Sequence, residues 1–155
     1  MSTPEKNITC LNLSLPPVPI SAGSYVPVHR AGDLLFVSGQ IARREGKVLH
    51  PGRVGESVSI EQAREAARQC ALQVLAILRS EIGTLDRIGS IVRVEGFVAA
   101  SPLFLDHPKV LDAASDIFSA VFGDRGRHAR FVVGAPSLPL GACVEIAVIA
   151  KVAAD

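Results

Sequence analysis

The chain has 155 residues, 48% of them apolar and 20% charged, with a net charge of +1. This length and apolar content suit one domain, 1–155, with its own core. The balanced charge excludes a general field for drawing in nucleic acid or an anionic membrane. No window approaches the roughly 18 uninterrupted apolar residues of a spanning helix, so the positive mean hydropathy of +0.34 predicts apolar surface covered by self-association.

The opening MSTPEKNITC has neither the basic start nor the apolar stretch of a signal peptide, and the expected location is cytoplasmic. Residues 1–22 read as an extended N-terminal arm, because Leu11 to Tyr25 is rich in proline and small residues. DLLFVSGQIA, from Asp33, reads as a buried strand that reaches a turn at Gly39, where a missing Cβ suits a sharp bend or a close-lying ligand. Arg43 to Gly55 reads as an exposed loop or a short hairpin. Ser59 and Gln62 form a capping-box pattern. Apolar residues then recur with a 3.6-residue period from Ala63 to Ile82, and Gly83 supplies the stop. SIVRVEGFV (Ser90 to Val98) alternates like a strand, Asp106 to Gly123 reads as a second helix, and two further strands close the chain. That order predicts an α+β fold with helices on one sheet face and a bare face in need of a partner.

Cys10, Cys70 and Cys143 are widely spaced and odd in number, the pattern of reduced thiols. His29, His50, His107 and His128 match no zinc-ligand spacing, so no metal site is expected.

The closing stretch RFVVGAPSLPLGACVEIAVIA, Arg130 to Ala150, keeps two charges in apolar surroundings: Arg130 and Glu145. A lone buried charge costs several kcal/mol, so such groups survive in pairs or because a ligand meets them. An antiparallel hairpin centred between Ser137 and Leu138 would set Arg130 across from Glu145 on one face. Pro136 and Pro139 argue for an offset register. Two readings stay open on spacing alone: a cross-strand salt bridge, or a guanidinium that receives a substrate carboxylate beside a glutamate that handles water or protons.

GSY at Gly23 to Tyr25, LLFVSGQI at Leu34 to Ile41, the long helix, and HAR…LPLGACVEI from His128 to Ile146 occur in order. Tyr25 stands thirteen positions before Ser38, and Arg130 fifteen before Glu145. With these pieces the chain resembles the reactive-intermediate deaminase family, also called YjgF-like or L-PSP endoribonuclease-like proteins, in a branch with a longer N-terminal arm. The resemblance implies a chorismate-mutase-like α+β fold, with a mixed sheet and two helices on one face. It also implies a homotrimer with clefts between subunits. The implied activity is hydrolysis of 2-aminoacrylate-like enamines and imines to 2-oxo acids and ammonia, without cofactor or metal.

On that resemblance Arg130 would clamp the carboxylate of a small-molecule substrate, and Glu145 would position water and relay a proton. Tyr25 would line the cleft from a neighbouring subunit, while Ser38 and Gly39 would help to hold substrate. Three positions depart from the family pattern: Phe131 stands where serine is common, and Ser115 and Phe118 where asparagine and tyrosine often stand. His128 is read as shaping its loop and left outside the catalytic set. The alternatives are a non-catalytic trimer that binds small carboxylates, and an endoribonuclease or translation inhibitor. The near-neutral charge, single tyrosine and absent tryptophan disfavour nucleic acid as a partner.

Overall fold

Ser59 accepts a hydrogen bond from the Gln62 backbone while the Gln62 side chain accepts one from the Ser59 backbone, which closes the capping box and starts a helix over Ile60–Ile82. In the computed structural model, which describes residues 2–154, this helix is the sixth of ten main elements. In chain order they are α1 (Pro4–Cys10), β1 (Val28–Ala31), β2 (Leu34–Ile41), β3 (Arg43–Arg44), β4 (Lys47–Val48), α2 (Ile60–Ile82), β5 (Ile88–Ala99), α3 (His107–Phe122), β6 (Ala129–Ala135) and β7 (Val144–Val152). Met1 and Asp155, the ends of the expected 1–155 span, lie outside the described residues.

The elements form a mixed five-stranded sheet ordered β1-β2-β7-β5-β6, with β3 and β4 as a separate hairpin. Helices α2 and α3 pack on each other and on one sheet face, α2 against β2 and β7, and α3 against β5 and β6. The apolar period foreseen for α2 buries Ala63, Ala67, Cys70, Val74 and Leu78. Under α3 the sheet offers Gly96: a Cβ there would lie 2.7 Å from Leu111, so only glycine lets the helix seat this closely. The result is the expected α+β sandwich, a mixed sheet with two helices on one face. Among the described residues no helix is long and apolar enough to cross a membrane.

The extended arm is broken by α1, which Thr3 caps through its side chain and Pro4 opens. Glu5 anchors this helix to Arg79 of α2, at 2.6 Å, and to the backbone of Leu85, at 2.9 Å. The helix is only 7 residues long and buries only Pro4 and Ile8, too little for the apolar period to reveal it. Strand β1 leaves no periodic trace either, since VHRA carries no alternation: Val28 is half-buried and the next three residues are exposed.

The hairpin expected for the last two strands does not form. Helix α3 is a crossover that returns β6 parallel to β5, and β7 then enters on the other side of β5, antiparallel to both β5 and β2. The connection carries Pro136 and a tight turn at Pro139–Gly141, with Leu140 at a left-handed φ of 55°. Strand β7 is the better candidate for the centre because its alternate residues Val144, Ile146, Val148 and Ala150 are all buried.

All three cysteines are free thiols. Burial pushes Cys143 up to about 11 and Cys70 further above its usual range, so both stay protonated and packed.

Candidate functional site

The topology sends the two charges of the closing stretch to different places. Arg130 is in register with Val94, which is wholly buried beneath the helices, whereas Phe131 is in register with Glu95 on the other face. Glu145 is in register with Phe97, and Phe97 packs edge-to-face on Phe131 at 5.9 Å. Since successive residues of a strand face opposite ways, Arg130 points to the helix layer and Glu145 to the bare face. Within one chain they do not meet, and the direct cross-strand pair is thereby corrected.

Glu145 belongs to a corner built by β2, β7 and the arm. The β2–β7 ladder slips between Val37 and Gln40, a bulge that frees Ser38 and Gly39 from pairing. The Glu145 carboxylate occupies the space this leaves: a Cβ on Gly39 would overlap Oε1 and stand 3.1 Å from Cδ. Gly39 is needed here for close approach and not for an unusual φ. Ser38 donates its hydroxyl to Val26 O at 2.7 Å and its backbone N–H to Pro27 O at 2.9 Å, which pins the arm beside the bulge. The same arm brings Tyr25, 53% exposed, to line a small cavity with Pro27, Gly39 and Gln40. Behind the bulge, Gln73 of α2 donates to Ile41 O at 2.9 Å and accepts from the Arg43 N–H at 2.8 Å, satisfying the backbone where β2 ends.

Tyr25, Ser38, Gly39 and Glu145 are thus brought into one corner. The Glu145 carboxylate has no hydrogen bond or ion pair among the described residues. Half-buried and unpaired, its pKa is raised by desolvation alone. It can therefore hold a proton at a higher pH than an ordinary glutamate.

Arg130 belongs to a second corner, between β6 and α3. Its Nη1 donates to Asp112 Oδ1 at 2.9 Å and to Ser115 Oγ at 3.1 Å. Ser115 also lies 2.9 Å from Nε2 of His128, whose Nδ1 is 2.6 Å from Gly126 O. Burial, the largest cause, and the charge of Arg130 lower the His128 pKa against the opposing pull of the Gly126 carbonyl, so the imidazole is neutral at pH 7. These groups line an open depression of about 310 Å³. The larger groove, about 770 Å³, runs between the arm, α2 and the β3–β4 hairpin and includes neither Arg130 nor Glu145. His128 and Asp112 lie outside the set expected from sequence. The i, i+3 spacing of Asp112 and Ser115 on a helix was their one available signal. Among the described residues no three His, Cys, Asp or Glu side chains converge as metal ligands would.

A model of the family described as "YjgF/chorismate_mutase-like, putative endoribonuclease" matches residues 5–152. Protein TCP17 of Trypanosoma cruzi is 38% identical over 141 residues, covering 90% of this chain and 88% of that protein. A "putative endoribonuclease" from Shewanella oneidensis MR-1 superposes with a TM-score of 0.94 at 34% identity, over 97% of this chain and 100% of that one. Atu1372 of Agrobacterium tumefaciens, a protein of unknown function, superposes at 0.88 with 37% identity, over 97% of this chain and 92% of that one.

Proposed function

We propose, for a chain that belongs to the YjgF/chorismate-mutase-like family, that it hydrolyses small enamines and imines bearing a carboxylate, of the 2-aminoacrylate kind, to 2-oxo acids and ammonia. The observation that carries this reading is Glu145: an unpaired, half-buried carboxylate of raised pKa, laid against Gly39 at an open corner. Protonation of the enamine carbon gives the imine, water adds to the imine carbon, and the C–N bond breaks to release ammonia. Each step needs one group that can give and recover a proton, a role suited to a glutamate whose pKa desolvation raises. The intermediates already react with water, so orientation is the remaining demand.

Arg130 enters this site from an adjacent subunit, because in its own chain it faces the opposite side of the sheet. A homotrimer with the bare sheet faces turned inward would set the Glu145 corner of one copy against the Arg130 corner of the next. Exposed Phe36, Val92 and Val133 give that face the apolar character such packing needs. The site would work without cofactor, and its partner would be a small carboxylate.

The test generates 2-aminoacrylate enzymatically and follows its loss with wild type, Glu145→Gln and Arg130→Ala. The reading expects acceleration by wild type and neither variant alone. Random mixing of the two variants should restore about a quarter of the sites in a cyclic trimer. No acceleration by wild type across several amino-acid precursors would overturn it.

Phe131 favours a second reading. Its ring, packed on Phe97 beside Glu145 and under the Arg93 guanidinium at 5.0 Å, makes an apolar wall suited to holding a carboxylate without turning it over. A silent assay with calorimetric binding of 2-oxo acids would select it. The endoribonuclease named among the relatives fits less well. RNA cleavage needs two proton-transfer groups beside a phosphate-holding surface, and one nitrogen of His128 is committed to Gly126.

A further inference from the structure

Ser115, His128 and Arg130 meet in a way that neither charge pairing nor helix packing requires. A carbonyl oxygen only accepts, so the 2.6 Å contact with Gly126 O places the imidazole proton on Nδ1. In the neutral ring Nε2 then offers a lone pair, and at 2.9 Å the Ser115 hydroxyl donates to it. The same oxygen accepts from Arg130 Nη1 at 3.1 Å, and Asp112 steadies the guanidinium. A hydroxyl that gives its hydrogen to a base while receiving one from a cation is set up to become a nucleophile. Phe118, edge-on at 5.9 Å, fixes the plane of the imidazole. A serine within a helix usually bonds the carbonyl one turn back; this one is turned across to His128.

We propose that Ser115 is a reactive serine, with His128 as its general base and Arg130 stabilising negative charge on oxygen, in a site that takes activated acyl esters bearing a carboxylate. The depression over these groups is open to solvent, so an ester can reach Oγ. On its rim stands Arg127, exposed and without an ion pair among the described residues, placed to receive the carboxylate. In the acylation step Ser115 Oγ bonds the carbonyl carbon as its proton passes to His128 Nε2. The tetrahedral intermediate then collapses, breaking the ester C–O bond and releasing the alcohol with the proton from His128. Water, deprotonated by His128, cleaves the acyl-serine to the free acid and restores the hydroxyl. This chemistry uses neither Glu145 nor a neighbouring subunit; it shares only Arg130 with the deaminase reading, and a burst at Ser115 is read without any enamine.

The full-length protein is mixed with mono-4-nitrophenyl succinate. The expected result is a stoichiometric burst of 4-nitrophenolate and a succinyl group on the peptide containing Ser115. Ser115→Ala should abolish the burst, and His128→Gln should slow it by about 100-fold or more. Arg127→Ala should raise the half-saturating concentration about tenfold for this ester but leave neutral 4-nitrophenyl acetate unaffected. The wild-type burst should fall as acid protonates His128, a pH profile that a merely structural serine would not show. Mass spectrometry of the wild type decides the matter even if a variant fails to fold. Acyl groups found on lysines and absent from Ser115, or a Ser115→Ala burst equal to wild type, would overturn the proposal.

Discussion

The corner at Gly39 and the corner at α3 each hold one charge of the same closing stretch, and they accommodate it by opposite means. Arg130 is 22% exposed at its side chain and is met by Asp112 and Ser115, which hold it in place between β6 and α3. Glu145 is similarly withdrawn from water but has no partner among the described residues, and the sheet bulges beside it. A paired charge has its burial offset within the fold, whatever else it does. An unpaired one, kept beside a glycine that admits it, calls for a ligand or a proton.

The largest expected effect tests that contrast at Glu145. Glu145→Gln should lower enamine hydrolysis by about 10²-fold to 10⁴-fold while leaving folding intact, as circular dichroism would report. It should also remove one component of the pH dependence of stability. The folded pKa of Glu145 is raised above the unfolded value of 4.5, so its contribution is full below that value and is lost as pH rises through the folded pKa. Denaturation curves across that window should therefore lose this decline in the variant.

Next in size is Gly39→Val. The new side chain would displace the carboxylate, and turnover should fall about tenfold or more through misplacement alone. A near-unchanged unfolding midpoint would separate this from loss of the fold. A fully active Gly39→Val would break the claim that close approach at Gly39 aims Glu145.

Phe131→Ser probes the apolar wall beside Glu145 on the bare face. It removes the edge-to-face contact with Phe97 and the cation–π contact with Arg93, costing about 1–2 kcal/mol in urea titrations. If the wall restrains turnover, the more polar cleft should hydrolyse 2-aminoacrylate faster. The smallest effect is expected for Asp112→Asn, which loosens a pair whose acid is half-exposed. Its cost should stay below about 1 kcal/mol and shrink at high salt.

Much of the frame was legible in local pattern. The capping box at Ser59 and Gln62, the apolar period through Ile82 and the stop at Gly83 located α2 within a residue at either end, because helix signals act within a few residues of chain. Helix α3, β2 and β5 were recovered for the same reason. Helix α1 and β1 were not, since short elements on the surface bury too little to leave a periodic trace. At the site, the glycine at position 39 announced a close approach, but which group approached it could not be read.

The sequence by itself determined the main elements, the family and the residue types that carry chemistry, for these depend on short-range spacing and order along the chain. Tertiary structure decided which strands are neighbours. The crossover through α3 separated β6 from β7, sent Arg130 and Glu145 to opposite faces, and brought Ser115 to His128. Strand pairing is settled by the burial of whole faces against one another, a sum over distant residues that no local window contains.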